Sequence, residues 1–286
     1  MNVKKKRIFI LTALFLVLGA VLLWMVWGNK ALTCNTHTVS SAEIPESFQG
    51  YRIAQVSDLH NTKFGKGNEK LLTMLREADP DMIAITGDLI DSRRTNIETA
   101  LEFARQAIQI APCYYVTGNH EARIDEYPAL KQGLLDLGFV ILENDCVELT
   151  QKDAKIFLAG VEDPSFQTDY LRGDSQAVMQ ENLAQALSCS DGFTILLSHR
   201  PELMDVYAEN NVSLVLSGHA HGGQFRLPFV GGLFAPNQGL LPEYDAGIYH
   251  EENTTMVVSR GLGNSIFPLR FNNCPELIVV ELEHIG

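Results

Sequence analysis

Five short segments of this 286-residue sequence run from aliphatic residues into Ser or Thr and then into a side chain able to hold a metal ion. They are Ser57-Asp58-Leu59-His60, Thr86-Gly87-Asp88, Thr117-Gly118-Asn119-His120, Ser198-His199 and Ser217-Gly218-His219-Ala220-His221. Side chains two apart in an extended segment project to the same side, so Asp58 and His60 can grip one ion. Asp88 has two carboxylate oxygens and can bridge two ions, while Asn119 offers a neutral amide oxygen. The imidazoles of His199, His219 and His221 suit zinc, iron and manganese better than they suit an all-oxygen magnesium site. Seven mixed nitrogen and oxygen donors are too many for one tetrahedral zinc. Two ions with water in their open positions fit the set, and a pair about 3.5 to 4 Å apart clamps the attacking and leaving oxygens of an in-line phosphoryl displacement. The expected chemistry is metal-assisted attack on phosphorus. Any one of these motifs is weak alone, but five of the eight histidines fall inside them. The other three, His37, His250 and His284, are expected to be surface or structural residues.

The runs that carry these residues, 53–56, 82–85, 114–116, 195–197 and 214–216, are short and aliphatic, as buried strands are. They alternate with segments of helical period at 69–78, 96–110, 127–137 and 176–187, each bounded by Gly, Pro or Asp-type residues. The pattern predicts an α/β fold with helices covering the faces of a sheet. Each polar group then sits just past the carboxyl end of a strand, where diverging loops open a crevice for ligands. Glycine ahead of Asp88, Asn119 and His219 lets the backbone turn sharply and approach whatever is bound.

At 46% hydrophobic content the chain can bury a sizeable core. Asp and Glu outnumber Lys and Arg 35 to 22, a formal charge of −13, which argues against capture of nucleic acid. A phosphate-bearing substrate would therefore draw its positive charge from metal ions. The five cysteines, Cys34, Cys113, Cys146, Cys189 and Cys274, show no C-x-x-C pair and are expected to be buried free thiols. Lipid attachment at Cys34 is disfavoured because Thr33 precedes it in place of Ala or Gly.

Residues 8–27 are apolar except for Thr12 and Gly19, long enough to cross a hydrocarbon layer of about 30 Å. Lys4, Lys5, Lys6 and Arg7 precede this run and only Lys30 follows closely, which predicts a cytoplasmic N-terminus and an extracytoplasmic remainder. Cleavage as a signal peptide is the competing reading. It is disfavoured because the run exceeds about 15 residues and ends at Trp24 and Trp27, which look like interfacial anchors. The expected division is a basic tip plus transmembrane anchor over 1–30 and a catalytic domain over 31–286.

The ordered series Asp58-x-His60, Gly87-Asp88, Gly118-Asn119-His120, His199 and Gly218-His219-x-His221 resembles the calcineurin-like metallophosphoesterase superfamily, and among its members the bacterial membrane-anchored branch. Ala220, between the last two histidines, occupies a position where the family tolerates small or polar residues. The resemblance implies a four-layer αββα sandwich of two mixed β-sheets flanked by helices, preceded here by one transmembrane helix. It implies a first divalent ion on Asp58, His60, Asp88 and His221, and a second on Asp88, Asn119, His199 and His219, with Mn, Fe or Zn as the metal. A metal-bridging hydroxide would attack phosphorus, and His120 would stabilise or protonate the leaving oxygen.

The function so implied is hydrolysis of a phosphate mono- or diester on a phosphorylated substrate, lipid-linked or not. A pyrophosphatase of the UDP-diacylglucosamine hydrolase type, acting on a lipid or nucleotide-sugar, is the alternative. A non-catalytic scaffold on the same fold is disfavoured because His120 and all seven donors are present. Asp91, Glu121 and Arg200 adjoin the donors and either orient them or are ordinary solvated charges. Residues 222–249, with Phe225, Phe229, Phe234, Tyr244 and Tyr249, are expected to pack onto the sheet as a hairpin-bearing lobe. The alternative for this lobe is a wall of the substrate groove or a surface resting on the membrane.

Overall fold

The computed structural model describes residues 3–167, 174–264 and 267–286. An apolar helix, α1 (Val3–Gly28), leads the chain; it is long and apolar enough to cross a membrane, and none of its most apolar window is buried against the protein.

Two six-stranded sheets follow. The first comprises β1 (Thr33–Ser41), β2 (Arg52–Val56), β3 (Met82–Thr86), β4 (Cys113–Val116), β5 (Val140–Ile141) and β16 (Glu276–His284), in the order β1-β16-β2-β3-β4-β5. The second comprises β6 (Asp145–Gln151), β7 (Ala154–Gly160), β8 (Thr194–Leu197), β9 (Leu214–Ser217), β14 (Gly247–Glu251) and β15 (Thr254–Val258), in the order β14-β15-β9-β8-β7-β6. Strands β2 to β5 run parallel, as do β7, β8, β9 and β15, while β16 opposes β2 and the edge strands β6 and β14 oppose their neighbours. Both sheets are mixed. Between β9 and β14 two small hairpins project, β10 (Arg226–Leu227) with β11 (Gly231–Gly232), and β12 (Phe234–Ala235) with β13 (Gly239–Leu240).

Strand alternation explains why the sheets stack. Ile53, Met82, Ala84, Ile278 and Val280 of the first sheet meet Ile156, Leu158, Ile195, Leu197, Leu214 and Leu216 of the second in one buried cluster. Their neighbours in sequence, Ala54, Val56, Ile83 and Ile85, face the other way and are covered by α2 (Glu69–Ala78), α3 (Ile97–Ala107) and α4 (Tyr127–Asp136). Leu196, Val215 and Val258 likewise face α5 (Ser175–Ala186) and α6 (Met204–Glu209). Strands buried on both faces read as continuous apolar runs. The four layers match the expected sandwich, and the expected helices hold to within three residues at each end, Asn96 serving as N-cap to the Thr99 amide instead of lying inside α3.

The free-thiol expectation fails for two cysteines. Cys146 in β6 and Cys189, which follows α5, form a disulfide with Cα atoms 6.3 Å apart. The pair is 43 residues apart in sequence and meets only because α5 lies over the edge of the second sheet, so spacing alone does not reveal it. Cys34 is exposed and Cys274 half-buried, which leaves Cys113 as the one free thiol that is buried as expected.

Candidate metal centre

The five expected strands end side by side. β2, β3 and β4 of one sheet and β8 and β9 of the other deliver Asp58, His60, Asp88, Asn119, His199, His219 and His221 to one buried cleft, each at most 7% exposed. Gln55 ties the two sheets together directly beneath it, donating to Thr86 Oγ1 at 3.1 Å and to the Ser217 carbonyl at 2.8 Å.

The backbone there is bent into forms most side chains avoid. Asp58, His60, Asp88, His219 and His221 have φ of 52°, 47°, 51°, 64° and 48°, in the left-handed region. Gly87 sits at φ 86° where a Cβ would lie 2.7 Å from both Gly118 N and His199 Nδ1. At Gly218 a Cβ would collide with Ser57 Oγ and Asp58 Oδ2. These two glycines let the loops close on one another.

Three groups of donors emerge: Asp58, His60 and His221; His60, Asp88 and His120; and Asp88, His199 and His219. Asp88 belongs to both of the latter, with Oδ2 at 3.3 Å from His199 Nε2, 3.6 Å from His60 Nε2 and 3.9 Å from His120 Nε2. Asp58 Oδ1 lies 3.3 Å from His221 Nε2 and 3.8 Å from His60 Nε2.

Hydrogen bonds made away from the cleft fix which nitrogen faces it. His199 Nδ1–H donates to the Thr86 carbonyl at 2.8 Å, which turns its Nε2 inward. His219 Nε2–H donates to Asn237 Oδ1 at 3.0 Å, so Nδ1 faces inward. The Ser92 amide donates to His120 Nδ1 at 2.9 Å, which leaves the proton of the neutral ring on Nε2. Such outer partners are how a protein orients metal-binding imidazoles.

The donor set fits divalent cations. His60 and His221 point Nε2 at Nε2 across 3.2 Å, and His219 Nδ1 faces His199 Nε2 at the same separation. Asn119 Oδ1 is buried without a hydrogen-bond partner among the described residues. A buried carbonyl oxygen left so is costly unless something else satisfies it.

Electrostatics agree at three of the four imidazoles; His199 is raised to about 10 against its burial by the charge of Asp88, so there a cation has to displace a proton. Burial holds His60 down to about 3 and pushes His219 and His221 well below the ordinary imidazole range, so all three are neutral and able to ligate. Burial works against ionised Asp88, but His199 and His120 outweigh it and hold the carboxyl well below its usual value. Burial, reinforced by the charge of Asp88, raises Asp58.

Of the three residues left open, Glu121 has the clearest part. It is fully buried, and its carboxylate accepts from the amides of Gly118 at 2.8 Å, Leu89 at 2.9 Å and Asp88 at 3.0 Å. Arg200 donates to both oxygens of Asp163, at 2.5 and 2.8 Å, and reaches Asn237 at 3.0 Å. Asp91 accepts from the Arg93 amide and the Arg94 guanidinium, which shapes the loop carrying Ser92.

Sequence reasoning missed Asp163, Asn237 and Arg270. Asp163 follows the sixth parallel strand end, Ala159-Gly160, so the reading applied to the other five would have reached it. Ser259 and Gly261 end β15 in the same manner, and the loop beyond carries Arg270, whose Nη2 lies 3.4 Å from His221 Nδ1. Asn237 belongs to a hairpin with no such signal.

A cleft of about 380 Å³ opens over the donors, floored by Asp88, Asn119, His120, His219 and His221 and walled by Phe225, Phe234, Pro236 and Phe267. The lobe expectation is met only in part. Tyr244 and Tyr249 pack against the α5 and α6 layer, but Phe225 and Phe234 face the cleft and Phe229 is fully exposed.

The calcineurin-like phosphoesterase family model matches residues 51–223, which hold all seven donors and His120. The chain belongs to the calcineurin-like phosphoesterases. It is a hydrolase acting on phosphoric esters, of a family that uses divalent metals. This phosphoesterase is 31% identical over 252 residues to the uncharacterized metallophosphoesterase YkuE of Bacillus subtilis, covering 86% of this chain and 84% of YkuE. It is 28% identical over 250 residues to a transmembrane protein with metallophosphoesterase domain of Danio rerio, covering 84% of this chain and 55% of that one. In fold it is similar to TT1561 of Thermus thermophilus, with a TM-score of 0.52 at 17% identity over 74% of this chain and 90% of the other.

Proposed function

We propose that this phosphoesterase is a membrane-anchored, two-metal hydrolase of a phosphate mono- or diester, with its catalytic domain over 31–286 facing away from the cytoplasm. The observation that carries the reading is the double facing of imidazoles, His60 against His221 and His199 against His219, with Asp88 between the pairs.

One ion would be held by Asp58, His60, Asp88 and His221, and the other by Asp88, Asn119, His199 and His219. When bound, divalent ions would supply Lewis acidity toward the phosphate and a water of lowered pKa. The chain does the rest. His120, with Nδ1 occupied by the Ser92 amide, presents Nε2–H to the cleft and would hydrogen-bond the departing oxygen, stabilising the negative charge that develops there. The His120 amide donates to Asp88 Oδ1 at 2.8 Å, which couples the position of that ring to that of the shared carboxylate. Glu121 gathers the amides of two loops and so keeps Asp88 aimed. Asn237 holds His219 in the tautomer that offers Nδ1, and Arg200 donates to Asn237 Oδ1 and so fixes that amide oxygen in place.

The orientation rests on Lys4, Lys5, Lys6 and Arg7 at the start of α1 and is supported by the Cys146–Cys189 disulfide, since such bonds persist in oxidising compartments. The apolar cleft wall favours, as a second reading within the same chemistry, a lipid pyrophosphatase. A cytosolic nucleotide-sugar is disfavoured by the orientation. In purified manganese-loaded protein, Asp88→Asn is expected to abolish most hydrolysis of an aryl phosphate ester, and His120→Ala most hydrolysis of an alkyl one. Full activity in either variant refutes the assignment, and reporter fusions to the C-terminus test the orientation.

A further inference from the structure

The rim of the cleft is built like a membrane-facing surface. Residues 222–241 include one charged side chain, Arg226, and it is neutralised by Asp245 at 3.0 Å. Phe229 is fully exposed, Leu240 is 80% exposed and Leu241 63%, all from the two small hairpins whose base residues Phe225 and Phe234 wall the cleft. Soluble surfaces rarely carry apolar residues clustered to this extent.

The same rim is tied to the end of the anchor. Asn29, directly after α1, donates through Nδ2 to the Arg270 carbonyl at 3.1 Å, and its Oδ1 accepts from the Arg270 amide at 3.0 Å and from Asn264 at 2.9 Å. Phe267 lies within this segment, meets Phe225 at a ring separation of 5.3 Å, and offers its carbonyl to Gln224 at 2.7 Å. The Arg226 amide donates to the Phe271 carbonyl at 3.0 Å. Trp24 and Trp27, in the last turn of α1, are the residue type that settles at the bilayer interface. The cleft wall is therefore linked, through Arg270 and Phe267, to the point where the chain leaves the membrane.

We infer that the substrate is an amphiphile resident in the leaflet where α1 ends, its phosphate ester reaching the metal donors while its apolar chain lies along Phe225, Phe234 and Phe267 and the hairpins carrying Phe229 and Leu240 rest on that leaflet. The inference rests on the proposed function and names its substrate class. The bilayer is the occupant of the exposed hairpins because α1 holds them beside it. A water-soluble phosphate ester would leave both the wall and the hairpins without a use.

The test uses the full chain in lipid nanodiscs, loaded with manganese, and a series of p-nitrophenyl alkyl phosphodiesters from methyl to decyl. The expected result is a rise in kcat/KM of at least 30-fold from methyl to decyl. Partition into the disc alone would raise the long esters, so the decisive measurement is the decyl-to-methyl ratio in the double variant Phe229→Ser/Leu240→Ser. That ratio is independent of how much protein is folded, and a fall of at least tenfold is expected. A flat chain-length series, or an unchanged ratio in the variant, overturns the inference while hydrolysis of the methyl ester leaves the phosphoesterase reading standing. Failure to hydrolyse any member of the series overturns that reading instead.

Discussion

The Nε2 atoms of His60 and His221 confront each other at 3.2 Å, and both rings are buried and held neutral. Only one of two such nitrogens can carry a proton toward the other without a clash, whereas a cation between them satisfies both lone pairs. Removing one ring should therefore be read first in metal content. His221→Ala is expected to lower bound manganese from about two ions per chain to about one. It should also shrink the metal-induced rise in unfolding temperature, a stabilisation of about 2.7 kcal/mol at a hundredfold excess over Kd in the unaltered protein. Elemental analysis and thermal unfolding with and without manganese check both.

His120 should matter in proportion to the basicity of the leaving group. His120→Ala is expected to slow an alkyl ester by about 10² to 10⁴. The same variant should slow a p-nitrophenyl ester far less, because that weakly basic leaving group needs little help from an N–H donor. A loss equal for both esters would assign His120 to phosphate binding alone.

Glu121 tests whether the loops around Asp88 need their shared acceptor. Glu121→Gln turns an amide group toward backbone N–H donors, and the expected outcome is a 10- to 100-fold loss of metal affinity. An accompanying loss of about 1 to 3 kcal/mol in stability follows from the buried donors left unpaired. Metal titration and urea unfolding separate the two effects.

The Arg200 and Asp163 pair sets an acid limit on stability. Burial alone would raise Asp163, but the guanidinium outweighs it and holds the carboxyl below its ordinary value. A depressed folded-state pKa gives stability that is complete above the unfolded value of about 3.9 and is lost as pH falls toward the folded one. Asp163→Asn should thus cost about 3 to 5 kcal/mol near neutral pH, because it strands a buried charge. The gap to the unaltered protein should narrow below about pH 4, measured by chemical unfolding across that range.

The disulfide gives a prediction independent of metal. Thiol labelling of unfolded, unreduced protein should modify Cys34, Cys113 and Cys274 and spare Cys146 and Cys189. Cys146→Ser is expected to cost about 4 kcal/mol by the chain-entropy relation for a loop of this length, where Cys146 and Cys189 are 43 residues apart. Labelling of all five cysteines would place the domain in a reducing compartment.

What could be read from the chain before its structure was set by locality. The donors announced themselves because each follows its own strand by two to four residues, and the rule that ligands gather past strand ends supplied the convergence. Cys146 and Cys189 escaped because their meeting depends on how α5 crosses β6, a packing relation with no local signature. Asn237 escaped for the same reason, reaching His219 from a hairpin whose sequence specifies only turns. Phe225, Phe229 and Phe234 look alike in composition, and only the fold of the two hairpins sends the first and last into the cleft and the middle one outward.

The left-handed backbone at Asp58, His60, Asp88, His219 and His221 bears on how such a protein ages in evolution. Each of these positions costs about 1 kcal/mol or more that glycine would not incur. As long as hydrolysis is selected, that burden is retained. Once it is not, drift toward glycine at those five places is rewarded by a sturdier fold. Descendants that abandoned the reaction should therefore be recognisable by their robustness, and glycine at the former donor positions would be the scar of a retired enzyme.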